Sequence, residues 1–366
     1  AQMPTWTAIA PPGLEPVVSR ELELLGETPQ QSAGHVQFTA SLERGAVLSG
    51  LLRTPTRLLL QVGSTRARTY EELAQRLRSM DWTPYLRPRD DVHVVVRATR
   101  SRLKHRTAVE KKAANAIQDS LKGRPLPPSR ARRPRRTQRV QVHIANDQAT
   151  VSIDVAGDLL HMRGWRREAG KAPLRENLAA CLLFASGWSP EEPLMDPFCG
   201  SGTIPIEAAL LAAGKPPGPR REFAWEAWPK LVGKALRWPS VPAQPAQIFG
   251  ADHNERAIEI SGHNARRAGV SVQFQLSEVE ALLAPAPTGL IVANPPYGER
   301  LGNHVLGVYS ALGRLLEGPF AGWRVAFLAP HPELAVKVHP DVMQLTTFKN
   351  GGLPVGLYGW EPANEV

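Results

Sequence analysis

Two short segments carry residue types whose spacing could do chemistry. The first is Asp196-Pro197-Phe198-Cys199-Gly200-Ser201-Gly202-Thr203, and the second is Asn294-Pro295-Pro296-Tyr297. In the first, a strand ending at Asp196 turns through two glycines into a helix over Ile204–Ala213 that Gly214 closes. Glycines let backbone approach a ligand closely and adopt positive φ, and a helix N-terminus offers N–H groups to a carboxylate or phosphate. Between a strand and a helix, such a turn holds a cofactor. The second segment is built to grip a planar amine. The lone pair of such an amine is delocalised into its ring, so it is a poor nucleophile until acceptors hold its hydrogens. The Asn294 side-chain oxygen and the Pro295 carbonyl can do so, the two prolines leave little ordering entropy to lose, and Tyr297 can stack on a base. A base inside a duplex must be flipped out to reach such a loop. Turn and grip together imply methyl transfer from S-adenosylmethionine to a planar nitrogen. They leave open whether that nitrogen is an adenine, guanine or cytosine amine or a glutamine amide.

These segments need a scaffold that puts them at one edge. From Pro193 onward strands and helices alternate, as in a doubly wound α/β sheet. Strands are expected at Leu194–Asp196, Ile248–Ala251, Val272–Leu276, Leu290–Ala293 and Val325–Leu328, with two more near the C-terminus. Asp252 then ends the second strand, where an acid can accept both hydroxyls of a ribose. Glu278 follows the third, where it could meet an adenine amine. Strand C-terminal ends are where open α/β sheets bind ligands. Asp252 lies 56 residues beyond Asp196, where about 20 is usual for a dinucleotide fold. The excess is the Pro-rich segment Lys215–Gln247, with Trp225, Trp228 and Trp238. Core packing is the expected role of these tryptophans and base stacking the alternative.

The first half reads as α+β. Residues 6–65 suggest strands at Trp6–Ala10, His35–Thr39 and Arg57–Val62 around helices at Leu14–Leu25 and Leu42–Leu52. Residues 66–165 suggest a helix at Tyr70–Met80, a strand at His93–Ala98 and a basic helix near Ala108–Leu121. A hairpin follows over Arg139–Ala145 and Ala149–Val155, then a strand at Leu159–Trp165. A loop, Arg166–Pro173, and an amphipathic helix over 174–186 lead into the second half.

Charge separates the halves. Residues 1–175 carry 30 Lys/Arg against 16 Asp/Glu, and residues 176–366 carry 14 against 18, so the halves stand at +14 and −4. The first half is therefore the one that should meet a polyanion. Its candidate contacts are Arg100, Arg102, Lys104, Arg106, Lys111 and Lys112 about the basic helix. Arg132, Arg133, Arg135 and Arg136 stand in the extended segment Lys122–Arg139, which has eight Lys/Arg, four Pro and no acid. Two cysteines, Cys181 and Cys199, fit a reducing cytoplasm rather than a disulfide framework. No Cys/His spacing suggests zinc, and no apolar run suggests a membrane span.

At these residues the chain resembles the THUMP-containing, class I S-adenosylmethionine-dependent RNA guanine-N2 methyltransferases, and within them the ribosomal RNA large subunit methyltransferase L group. The resemblance runs through Gly13-Leu14-Glu15, Leu160–Arg166, Ala172–Ala180, Asp196–Thr203, Ile206–Ala209, Asn294–Leu301 and Lys349-Asn350-Gly351. It implies a ferredoxin-like domain over 1–65, a THUMP RNA-binding domain over 66–165 and a Rossmann-like methyltransferase domain over 166–366. It implies that Asp196, Gly200 and Gly202 line the methionine end of the donor, that Asp252 takes the ribose, that Glu278 takes the adenine amine and that Phe198 and Thr203 also bind the donor. Asn294 to Tyr297 would hold the target guanine, with Asn294 also touching the donor. 23S ribosomal RNA is the implied substrate and the acceptor stem of transfer RNA the alternative. A non-catalytic RNA-binding assembly factor is the rival outside enzymology. The protein is expected to be a cytoplasmic monomer. Family members usually carry Asp where Glu278 stands.

Overall fold

The computed structural model describes residues 2–103, 105–124, 136–170, 173–239, 241–297 and 302–363. Lys104, Arg132, Arg133 and Arg135 lie outside the described residues.

The first half is one seven-stranded sheet with its helices. It begins with β1 (Thr5–Ile9), α1 (Glu15–Leu24), β2 (Gln30–Ser32), β3 (His35–Thr39), α2 (Leu42–Leu51) and β4 (Arg57–Arg66). Strict alternation turns Trp6 and Ala8 of β1 into the core, the period-two signature of a strand with one buried face. Ser41 caps α2 through its hydroxyl to the Arg44 N–H. The antiparallel order β2-β3-β1-β4 is that of a ferredoxin-like unit. The short β2, fully exposed, was not evident from the sequence. The chain continues through α3 (Tyr70–Ser79), β5 (Val92–Thr99), α4 (Arg106–Ser120), β6 (Gln138–Ala145) and β7 (Gln148–Asp154). Asn146 and Asp147, both at positive φ, make the two-residue turn between β6 and β7. β7 pairs with β4 from Leu59↔Asp154 to Arg66↔Gln148, so the sheet runs without a break across residue 65.

The second half is a doubly wound sheet. Its elements are α5 (Glu176–Ala185), β8 (Leu194–Asp196), α6 (Thr203–Ala212), β9 (Ile248–Asp252), α7 (Glu255–Ala268), β10 (Gln273–Leu276), β11 (Leu290–Ala293), α8 (Gly302–Glu317), β12 (Arg324–Ala329), α9 (Pro332–Val338), β13 (Met343–Asn350) and β14 (Leu353–Trp360). The order is β10-β9-β8-β11-β12-β14-β13, parallel except for β14, which runs antiparallel to both neighbours. β8 and β11 are buried on both faces, and β11 reads as a continuous apolar run. The strand order reverses between β8 and β11, the place where such sheets open a crevice.

Three joints hold the halves together. The first corrects an expectation. Leu159–Trp165 is not a strand but an irregular bend, with Gly157 and Gly164 at φ +90° and +91°. A Cβ on Gly164 would stand 2.9 Å from the Arg220 carbonyl oxygen, so only glycine passes here. The bend buries Arg163, which pairs with Glu207 of α6 at 3.3 Å and donates to the carbonyls of Leu160 and Arg53. Secondly, the Pro-rich segment crosses to the first core. Trp228 is fully buried there and donates to Gln138 Oε1, and Trp225 donates to Ser49 Oγ. Trp238 packs against the same core, closing on Gly50, where any Cβ would strike the ring. Core packing is thus the role of all three. Thirdly, Leu14 leaves the first unit to pack in the second core, and Thr346 Oγ1 of β13 donates to the Gly13 carbonyl. Among the described residues no helix is long and apolar enough to cross a membrane.

Candidate active site

The C-terminal ends of β10, β9, β8 and β11 lie side by side and carry the acids and amide that the sequence singles out. The registers Asp196↔Gly250 and Asp252↔Leu276 set Asp196, Asp252 and the residues after Leu276 along one edge. Asp196 is buried, and its Oδ1 accepts the Phe198 N–H at 3.0 Å. Burial pushes its carboxyl up to about 8; the Phe198 N–H opposes this and the neighbouring Asp252 adds to it. Asp252 ties the turn together, accepting from Gly200 N with Oδ2 and from Asn254 N with Oδ1. It does not cap α7, because Asn254 does so through its side-chain oxygen.

Gly200 and Gly202 both stand at positive φ, +52° and +84°. A Cβ on Gly200 would meet nothing within 4 Å, so this glycine borders open space. Gly202 is the N-cap of α6 and no side chain caps that first turn, which leaves its N–H groups for a ligand. Thr203 opens the helix, but its hydroxyl is buried and accepts from Arg166 Nη1 at 3.2 Å. Phe198 is partly buried beside the third apolar cluster, and Glu278 is exposed at the start of a short 3-10 turn.

Across the switch point, β11 delivers Asn294. Its Oδ1 is buried and has no hydrogen-bond partner among the described residues. An orphaned acceptor of this kind costs roughly 1–3 kcal/mol unless something donates to it. Pro295 is buried, Pro296 exposed and Tyr297 half-buried, its hydroxyl accepting from Asn350 Nδ2 at 2.8 Å. That bond explains why Lys349-Asn350-Gly351 at the far end of the chain belongs with the grip. Burial raises the Tyr297 phenol, against the Asn350 bond, and so keeps it neutral.

A buried carboxyl, an uncapped helix N-terminus, a glycine facing open space and an orphaned amide oxygen form a donor set that fits an amino-acid-bearing nucleoside with a cationic centre. Among the described residues no group of three or more His, Cys, Asp or Glu side chains gathers as a metal site.

The basic candidates lie elsewhere. Arg100, Arg106, Lys111 and Lys112 are exposed, as is Arg102, which sits 3.9 Å from Asp147. Arg106 pairs with Glu110, and Lys112 pairs with Glu71 and lies over the Tyr70 ring. Arg136 is not on a free arm. It pairs with Glu222 and Glu226 and donates to the Phe223 carbonyl, docked against the Trp-bearing segment. Sequence reasoning missed Arg57, Arg166 and Arg221, which meet Arg136 and Arg139 around a cavity of about 860 Å³ between the halves.

A sheet of this order, with a glycine turn after β8 and the Asn-Pro-Pro-Tyr loop after β11, defines a class I methyltransferase domain behind a ferredoxin-like one. The chain belongs to the family described as RMKL-like, methyltransferase domain, which residues 163–355 match, while residues 5–59 match the RlmL ferredoxin-like domain. It is 37% identical to the ribosomal RNA large subunit methyltransferase K/L of Methylococcus capsulatus, over 98% of this chain and 51% of that one. It is 34% identical to Bacillus subtilis YpsC, named as a candidate RNA methyltransferase, over 88% of this chain and 87% of that one. The solved structure of SMU.472, described as a candidate methyltransferase complexed with SAH, superposes with a TM-score of 0.85 at 30% identity, each chain covered in full. The chain spans about half the length of the K/L relatives it matches.

Proposed function

We propose that this protein transfers a methyl group from S-adenosylmethionine to the exocyclic N2 of a guanine in RNA, with 23S ribosomal RNA the preferred substrate. The observation that carries the reading is the buried, unpartnered Asn294 Oδ1 at the switch point, beside the turn that Asp196 and Asp252 shape. The names of the K/L and YpsC relatives and the SAH complex of SMU.472 support the RNA and the donor.

S-adenosylmethionine, when bound, supplies a methyl group on a sulfonium. The chain's own residues do the remaining work. Asp196 would meet the cationic end of the methionine, and the α6 N-terminus its carboxylate. Asp252 would accept from the ribose and Glu278 from the adenine amine. Asn294 Oδ1 and the Pro295 carbonyl would take the two hydrogens of the guanine amine, turning its lone pair to the methyl carbon. Tyr297 would cover the base face, fixed by Asn350. The amine attacks without losing a proton first, so the acceleration comes from positioning and from fixed acceptors rather than from a strong base. Residues 66–165 would capture the RNA as a THUMP domain, through Arg100, Arg102, Lys104, Arg106, Lys111, Lys112 and the segment holding Arg132, Arg133 and Arg135. The reaction belongs in the cytoplasm, where Cys181 and Cys199 stay reduced.

The test offers purified protein and labelled donor to deproteinised 23S ribosomal RNA and to unmodified transfer RNA, each digested to nucleosides. Labelled N2-methylguanosine in the ribosomal RNA alone is the expected result. The same nucleoside in transfer RNA alone, or a methyladenosine or methylcytidine, overturns the substrate. Failure to bind the donor by titration would leave an RNA-binding assembly factor.

A further inference from the structure

The cavity between the halves is lined by arginines from four separate stretches of chain, namely Arg57 of β4, Arg136 and Arg139 about the start of β6, Arg163 and Arg166 at the bend, and Arg221 within the Trp-bearing segment. Arginines so close together need anions, and the protein supplies too few. Glu176 is taken by Arg166 and His161, and Glu222 by Arg136. The buried Asp154 is left to two cations, with Arg57 bonded to it at 2.6 Å and Arg139 Nε at 3.9 Å, beyond hydrogen-bond length. Arg221 lies over the Phe223 ring and donates to the carbonyls of Leu159 and Asp158; the Asp158 carboxylate, on the same cavity wall, acts on it through space but makes no ion pair with it within 4 Å among the described residues. The Nε atoms of Arg139 and Arg221 are both buried without a hydrogen-bond partner among the described residues. Two orphaned guanidinium nitrogens, on side chains that line one cavity, call for an acceptor.

We infer that this cavity is a phosphate site, in which the guanidinium forks of Arg139 and Arg221 hold one backbone phosphodiester of the substrate RNA. The inference rests on the reading of the protein as an RNA methyltransferase. A planar fork matches phosphate oxygens two at a time, and a phosphodiester carries the charge that Asp154 leaves unmatched. Electrostatics agree with the geometry. Burial lowers the Arg139 guanidinium, with Arg57 next, and lowers Arg221 to about 10, with Arg163 next. Asp154 opposes this at Arg139, and Asp158 and Asp154 oppose it at Arg221, but desolvation prevails at both, and a bound anion would relieve it. The site is also well placed. Arg166 on its wall donates to Thr203, the first residue of the cofactor helix. A phosphate held here puts the neighbouring nucleotide within reach of the methyltransferase half while the rest of the RNA lies on the first.

The test measures binding of fluorescein-labelled single-stranded oligoribonucleotides, one with a 5′-hydroxyl and one with a 5′-phosphate, across a salt series. The full chain is compared with an Arg139→Gln/Arg221→Gln variant, with intact donor binding as the folding control. Expected is a loss of affinity of roughly tenfold and a log–log salt slope shallower by about 0.7, one single-strand phosphate. The loss should be equal for both RNAs. If that variant does not fold, Arg221→Gln alone, which breaks no ion pair, should show the same direction. Unchanged affinity and slope in a variant overturn the site while leaving the enzyme reading intact. A loss confined to the 5′-phosphorylated RNA, or competition by millimolar inorganic phosphate as strong in the variant as in the parent, overturns the phosphodiester assignment. If the parent binds neither RNA and methylates none, the functional reading falls and the site falls with it.

Discussion

At the scale of single residues, the site rests on two buried oxygens with opposite needs. Asn294 Oδ1 lacks a donor, and the proposed guanine amine supplies it. Asn294→Ala should therefore lower kcat/KM about a hundredfold or more with donor affinity nearly unchanged. Steady-state kinetics beside a donor titration checks this, and parallel losses in both would mean that Asn294 serves the donor rather than the base. Asp196 has the opposite problem, since a buried carboxyl must either stay protonated or find a cation. Its native value near 8 lies above the ordinary 3.8. The neutral native carboxyl therefore contributes stability that is fully present below the unfolded value and drains away as pH rises toward 8, by about 1.4 kcal/mol per pH unit. Asp196→Asn removes the titration. The melting temperature of the variant minus that of the parent should climb from about pH 4 to 8 and then level off, and a flat difference would rule the account out. Both residues were legible in the sequence because each ends a strand whose apolar run stops abruptly. The Asn350–Tyr297 bond was not, since nothing local couples residues 53 positions apart.

At the scale of elements, the strands were legible where both faces or one alternating face is buried, as in β3, β8 and β11, whose bounds match the sequence reading. The bend at Leu159–Trp165 was not. Its Leu, Met and Trp imitate a strand, while its conformation is dictated by Gly157, Gly164 and the buried Arg163–Glu207 pair. That pair, each side chain 1% exposed, makes a sharp prediction. Arg163→Met strands the Glu207 carboxylate and should cost about 3–5 kcal/mol, whereas Arg163→Met with Glu207→Leu should cost much less, since an apolar pair avoids the desolvation penalty. Denaturant titration of the two variants reads the difference, and equal losses would show that Arg163 acts through the Leu160 and Arg53 carbonyls instead. The core-packing role of the Trp-bearing segment was legible, but its partners were not, for a similar reason. Trp228 finds its partner Gln138 at a separation of 90 residues and Trp225 finds Ser49 at 176. Such contacts leave no periodicity behind. Trp228→Ala should cost about 3–5 kcal/mol and open Lys215–Gln247 to protease at temperatures where the parent resists. If cleavage stays as slow as in the parent, the ring is not what pins the segment.

At the scale of the whole molecule, a basic half is held by three joints to an acidic half that carries the candidate site. The division at +14 and −4 was the plainest functional signal in the sequence, and the three joints explain how charge on one side serves a site on the other. Without them, RNA caught by the first sheet would present its base to the switch point by chance. On the proposed function, with them, binding energy gained on the basic half would become positioning at Asn294. This gives a test that separates location from mere charge. Arg132, Arg133 and Arg135 replaced together by Gln should weaken RNA binding and flatten its salt dependence by roughly 0.7–0.9 log–log units for each phosphate no longer neutralised. An equal loss of charge at Arg256, Arg266 and Arg314, on α7 and α8 of the acidic half, should change the slope far less. If the two triple variants behave alike, the protein attracts RNA through its overall field alone, and the basic half is not a docking surface for the substrate.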